Sequence, residues 1–291
     1  MPVYLIQKHS NKGGIMNEDK IRKEVRDGYA KIVKSSGSGC GCGSSCCGGT
    51  STAKEISKEI GYSDAEINAV PADSNLGLGC GNPTALALLK PGEIVVDLGS
   101  GAGFDCFLAA NKVGNTGRVI GVDMTHEMIE KARENARKGG YNNVEFRLGE
   151  IENLPVADNT ADIIISNCVI NLVPNKARVF AEAFRVLKPG GRVMISDIVL
   201  HKGLPDFIRN SVEAYVGCLS GAILKDDYLA TMEKAGFRNI DVTSEDIIPI
   251  EDMLNDPTVQ TLVAKSGKST ELLNQEIKGT VSSIKVSAIK L

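Results

Sequence analysis

The chain has 291 residues, 42% of them hydrophobic, enough to bury a substantial core as one large or two modest domains. A formal net charge of -3, with lysine and arginine spread along the chain, gives no electrostatic case for nucleic acid or an anionic membrane as partner. No apolar run reaches the roughly 18 residues of a membrane span, and the opening "MPVYLIQKHSNKGG" lacks the basic flank and apolar core of a signal peptide, so a cytoplasmic location is expected.

Residues 17 to 34 predict an amphipathic helix, with Asn17 as N-cap and Ile21, Val25, Tyr29 and Ile32 on one face. Met16 is an alternative start, which would leave residues 1 to 15 as an extension. The next stretch, "SSGSGCGCGSSCCGGTST", has no periodicity and nothing to bury; it reads as a loop unless a ligand orders it. Residues 1 to 70 are therefore set apart as a helix and a cysteine-rich extension.

From residue 93 apolar runs alternate with helical periodicity, the pattern of βαβ units around a parallel sheet. "EIVVDLG", "RVIGVDM", "VEFRLG", "DIIISN" and "RVMISDIV" read as five strands, and their continuous hydrophobicity implies burial on both faces. Between them, "THEMIEKARENARK" predicts a helix capped by Thr125, with Met128, Ile129, Ala132 and Ala136 on one face and Glu127 one turn before Lys131. "NKARVFAEAFRVL" predicts another, burying Ala177, Phe180, Phe184 and Leu187 and ended by "KPGG". After about residue 200 the signal weakens to a helix in "KDDYLATMEKAGF" and strands in "NIDVTSEDIIPI" and "SSIKVSAIKL". The division expected is residues 71 to 200 as a Rossmann-like α/β domain and 201 to 291 as a small α+β C-terminal subdomain.

In "VVDLGSGAGFD", Gly99, Gly101 and Gly103 let the backbone approach a ligand at the carboxyl end of the first strand. Asp123, 20 residues beyond Gly103, ends the second strand, where a carboxylate can accept ribose hydroxyls. The glycines follow GxGxG rather than the GxGxxG of dinucleotide sites, with Asp97 just before them.

Eight cysteines need a role, and in a reducing compartment that role is metal or thiol chemistry rather than disulfide framework. Cys40, Cys42, Cys46 and Cys47 lie in the Gly/Ser tract. Cys106 sits among apolar residues and reads as core. Cys80 and Cys218 lie among glycines and small residues, and Cys168 follows the fourth strand, where ligands of open α/β sheets bind. Thiolates select soft metals and metalloids over Mg²⁺ or Ca²⁺, and the CxxC pairs of a zinc ribbon are absent. His9, His126 and His201 occupy ordinary solvated positions and supply no acid/base set.

"DLGSGAGFD", "GVDMT" and "LGEIENLP" resemble the nucleoside-binding motifs of class I methyltransferases. That resemblance implies S-adenosylmethionine as methyl donor, with Asp97 and the glycines at its methionine end and Asp123 at its ribose. It places Met124 on the adenine, Glu150 and Ile151 at the adenine amino group, and Asn167 among the nucleoside contacts. With "GYSDAEINAVPADSNLGLGCGNP", "SNCVINL" and "AYVGCLSGA" added, residues 61 to 221 resemble the arsenite S-adenosylmethionine methyltransferases. Cys80, Cys168 and Cys218 are then the thiolates that bind trivalent arsenic, joined by an unassigned cysteine of the upstream cluster and served by a glutathione-like or thioredoxin-like reductant. The alternatives are a methyltransferase for a carbon or oxygen acceptor such as a quinone precursor, and a soft-metal sequestration protein.

Overall fold

The computed structural model describes residues 18–35, 52–83, 88–209, 219–249, 260 and 276–291. Helix α1 (Glu18–Ser35) is followed by two short capped helices, α2 (Ala53–Glu59) and α3 (Asp64–Asn68). Thr52 and Ser63 each accept the backbone N–H of a glutamate three residues on, and that glutamate reaches back to the cap's own N–H. These reciprocal bonds explain why such short helices hold.

The sheet then builds from β1 (Ile94–Leu98), β2 (Arg118–Asp123), β3 (Val144–Leu148), β4 (Ala161–Asn167) and β5 (Leu187–Leu200), all parallel. Helices α4 (Phe104–Val113), α5 (His126–Gly139) and α6 (Lys176–Val186) form the crossovers, and α7 (Lys225–Ala235) leads into β6 (Arg238–Ile247). Strand β7 (Val281–Ile289) inserts antiparallel between β5 and β6, giving the order β3-β2-β1-β4-β5-β7-β6. Strands β6 and β7, within the residues expected as a small α+β C-terminal subdomain, extend the one sheet, β7 pairing with β5 along nine residue pairs, from Arg192 with Ile289 to Leu200 with Val281.

Alternate side chains of the central strands feed two cores. Val96, Ile164, Phe180, Tyr228 and Phe237 meet on one face, and Val95, Ile163, Phe107, Ile129 and Phe146 on the other. Burial of both faces is why the central strands read as unbroken apolar runs.

Three local expectations change. Thr125 makes no side-chain cap bond; Asp123 Oδ1 instead accepts the Thr125 N–H at 2.8 Å. Glu127 and Lys131 do not pair with each other but with distant partners, Lys34 at 2.8 Å and Asp73 at 3.1 Å. Ala177 is exposed, since α6 turns Val179, Phe180, Ala183 and Val186 inward. The "KPGG" turn does stop α6, and it then becomes the irregular opening of β5, where the register against β4 shifts.

Candidate active site

The carboxyl ends of β1, β2 and β4 converge on one edge, and the chain leaves each through a different device. After β1 the turn is fixed by Gly99 and Ser100 N–H groups donating to Val122 O at 2.8 and 3.0 Å, and by Gly103 N–H donating to Ser100 O at 2.9 Å. Gly99 has φ +71°, and a Cβ there would lie 2.4 Å from Val169 Cγ2, so only glycine fits. The Ser100 hydroxyl is buried and has no hydrogen-bond partner among the described residues.

Asp97 lies beneath this turn, 2% exposed, and accepts a hydrogen bond from Cys106 Sγ at 3.2 Å. Burial, reinforced by nearby Asp105, raises its pKa well above the ordinary carboxylate range. Burial likewise raises Asp105 to about 6, opposed by hydrogen bonds from Tyr62 and Asn167. Burial of this kind favours the neutral, protonated form of each acid, and perturbed acids of this sort cluster at functional sites.

Asp123 is half-buried at the end of β2, accepting the Gly101 N–H at 2.9 Å as well as that of Thr125. The carboxylate therefore ties the glycine turn to the start of α5. Met124 beside it is half-buried, Ile151 is buried in the core, and Glu150 stands at the rim, 3.9 Å from Arg22 Nε.

Cys168 follows β4 with φ +56°, a left-handed conformation that costs a non-glycine residue roughly 1 to 2 kcal/mol. Its N–H donates to Ser196 O at 2.7 Å on the neighbouring strand. The same left-handed conformation occurs at Leu88, Asn159 and Asn239, but of these four Cys168 alone stands where β4 ends at this edge. Cys80 arrives from the segment after α3 and is half-buried, its Sγ 3.8 Å from Ser196 Oγ. The two cysteines share one apolar cluster with Met124, Leu172 and the Ile21, Val25 and Tyr29 face of α1. Cys218, Cys40, Cys42, Cys46 and Cys47 lie outside the described residues. Asn167, expected among the nucleoside contacts, accepts the Cys80 N–H on Oδ1 and turns Nδ2 toward Gly81, Tyr62 and Asp105.

Sequence reasoning missed two parts of this edge. Arg22 of α1 donates to both carboxylate oxygens of Glu152, at 3.0 and 3.2 Å, fastening α1 across the site. Asp197, fully buried after the middle of β5, accepts from Tyr228 at 3.0 Å and Asn171 at 2.9 Å, and burial raises it to about 7. Neither pairing has a local spacing by which it could be found, although "ISDIVL" does place an acid in a strand otherwise buried.

A seven-stranded sheet with one antiparallel strand inserted next to the last, a glycine turn after β1 and an acid ending β2 define a class I methyltransferase fold. Residues 89–236 match the family model described as a methyltransferase domain. The chain is 49% identical over 234 residues to an arsenite methyltransferase of Halobacterium salinarum (strain ATCC 700922 / JCM 11081 / NRC-1), covering 78% of this chain and 60% of that protein. It is 32% identical over 249 residues to the arsenite methyltransferase of Homo sapiens, covering 81% and 63%. Among solved structures it is similar to CrArsM, an arsenic(III) S-adenosylmethionine methyltransferase from Chlamydomonas reinhardtii, with a TM-score of 0.62 and 31% identity over 84% of this chain and 75% of that one. The chain belongs to the arsenite methyltransferase family. It spans about 60% of the length of the curated relatives it matches. Among the described residues no helix is long and apolar enough to cross a membrane.

Proposed function

We propose that this chain methylates trivalent arsenic held by protein thiolates, with S-adenosylmethionine as donor. The observation that carries the reading is the meeting of Cys80 and Cys168, from distant parts of the sequence, in one small cluster beside the glycine turn. Cys218 is proposed as the third thiolate and lies outside the described residues. The acceptor reaches the site as a thiol complex of arsenite.

The donor fits the turn on the observations above. The unsatisfied Ser100 hydroxyl and the buried Asp97 carboxyl line the glycine turn with polar groups that a bound ligand can engage. Gly99, Gly101, Gly103 and Asp97 would hold its methionine end, Asp123 the ribose, and Met124, Glu150 and Ile151 the adenine. When bound, it supplies an electrophilic methyl group on a sulfonium.

The chain's own contribution is alignment. Three thiolates on one side of arsenic leave its lone pair on the other, so no general base is needed, in keeping with His126 and His201 lying at exposed positions. Holding reacting groups at near-attack geometry can supply roughly 7 to 11 kcal/mol of the barrier. The apolar face of α1 over Cys168 and Met124 excludes water from a transfer that neutralises charge.

Methylation takes arsenic formally from the trivalent to the pentavalent state. Two protein thiols return two electrons to it by forming a disulfide, and a glutathione-like or thioredoxin-like thiol then reduces that disulfide. A cytoplasmic setting, where such thiols abound, suits this cycle.

The test is transfer of isotopically labelled methyl from S-adenosylmethionine to arsenite with a thiol reductant present, the products separated and identified by mass. Labelled methylarsenic is the expected product. Donor binding with reduced cysteines but no labelled arsenic would sink the acceptor assignment.

A further inference from the structure

The Cys80 loop is gripped along its backbone rather than by its thiol. Its N–H donates to Asn167 Oδ1 at 3.0 Å and its carbonyl accepts from Ser283 Oγ of β7 at 2.8 Å. Asn167 Nδ2 in turn faces Gly81 O at 2.8 Å, Tyr62 Oη at 3.0 Å and Asp105 Oδ2 at 3.2 Å, and the Tyr62 hydroxyl donates to Asp105 Oδ1 at 2.6 Å. Tyr62 and Asp105 are both buried. The loop backbone lies against this amide so closely that a Cβ on Gly79, at φ +116°, would sit 2.7 Å from Asn167 Nδ2.

We infer that Tyr62, Asp105 and Asn167 are positioning residues that set Cys80 against Cys168, with Ser283 as the second anchor. The chain of contacts has a direction. Asp105 belongs to the first turn of α4, fixed by the glycine turn; it orients Tyr62 and Asn167, and Asn167 is the residue immediately before Cys168. One amide side chain therefore holds the backbone of one thiol while its own main chain carries the other. Tyr62 and Asp105 are buried and Asn167 and Ser283 half-buried, so the inner part of the network is costly to leave half-made and favours a single geometry. Ser283 brings the C-terminal strand into the site, because the register of β5 against β7 sets Ile198 opposite Ser283 at this edge.

The inference deepens the arsenic reading but depends on it only for the identity of the ligand, so the probe is one that reports thiol placement alone. Phenylarsine oxide, hydrated to two hydroxyls, forms two As–S bonds with a pair of thiols and releases two waters. Protection of Cys80 and Cys168 from iodoacetamide, read by peptide mass on the full chain, measures whether they form such a pair. In the unaltered chain both should be protected together at one arsenical concentration. Tyr62→Phe should raise that concentration about tenfold and Ser283→Ala about fivefold, with affinity for S-adenosylhomocysteine within about twofold of the parent. Unchanged protection in both variants would overturn the inference, as would parallel losses of arsenical and nucleoside affinity, which indicate general loosening. Should Tyr62→Phe fail to fold, Ser283→Ala at a surface-proximal contact decides alone. Thiol pairing that responds to these variants in a chain that does not methylate arsenite would leave the positioning intact and remove the proposed function.

Discussion

The two ends of this site are built in opposite ways. The end proposed for the nucleoside is local: a turn after β1, an acid after β2, and backbone bonds from Gly99, Ser100, Gly101 and Thr125 that close within about 30 residues. The thiol end is assembled from afar: Cys80 from the segment after α3, Cys168 after β4, covered by α1 and anchored by β7. A local device survives small shifts of the sheet, because its parts move together. An assembled one depends on every element that meets there, so substitutions far away in sequence should separate the two ends.

The largest separation is expected at Cys168 itself. Cys168→Ser should lower kcat/KM for arsenite on the order of 100-fold or more while leaving S-adenosylhomocysteine affinity unchanged, measured by steady-state kinetics beside calorimetry. A variant that retains activity would place the chemistry elsewhere. The backbone offers an independent check: with φ +56° at this position, Cys168→Gly should be about 1 kcal/mol more stable than Cys168→Ala in urea unfolding. Equal stabilities would contradict the strained conformation.

The converse experiment attacks the local end. Asp123→Ala removes the carboxylate that joins the glycine turn to α5 and is assigned to the ribose. We expect S-adenosylhomocysteine affinity to fall roughly thirtyfold, about 2 kcal/mol, with arsenical protection of Cys80 and Cys168 unchanged. Loss of both would show that the two ends are one cooperative unit.

This contrast also explains what could be read in advance. The central parallel strands are legible because they are buried on both faces and so carry their own apolar signature, as in "VVDL" and "IIIS", whereas edge strand β3, expected to be buried likewise, buries only Phe146. The glycine turn and Asp123 are legible because their spacing is set by one βαβ unit. The place of β7 is not, since an antiparallel strand far along the chain can pair with any open edge. The Arg22–Glu152 pair and the Ser283 contact with Cys80 leave no local trace for the same reason, and the pairing of Glu127 with Lys34 rather than Lys131 shows a tertiary partner displacing a helical neighbour. Resemblance to a family supplied the thiols, but geometry supplied what holds them.

A smaller effect tests whether α1 belongs to the thiol end. Glu152 is 3% exposed and, among the described residues, would keep only the Asn175 N–H, at 3.2 Å, on its carboxylate once Arg22 is removed. Arg22→Ala should therefore free α1 by about 1 to 2 kcal/mol, seen as roughly tenfold or greater loss of amide-exchange protection in residues 18 to 35, with the sheet unaffected. Iodoacetamide should then reach Cys168 faster, because Val25 and Ile21 no longer cover it. Faster exchange in α1 with no change at Cys168 would separate the helix from the site.

A separate effect is one of pH. Asp197 is raised to about 7 by burial, whereas an unfolded aspartate titrates near 3.9. Between these values the folded chain binds the extra proton, so this group makes stability fall as pH rises from about 4 to 7. The lowered carboxylates of Glu93, Asp162 and Glu182 act in the opposite sense at and below the low end of that range, which is why total stability is a poor readout. The difference between Asp197→Asn and the parent is the clean one. An amide there cannot ionise, so the variant's thermal midpoint relative to the parent should climb through that window and level off above it. A flat difference would mean that Asn171 and Tyr228 stabilise the ionised carboxylate fully, leaving Asp197 charged at neutral pH.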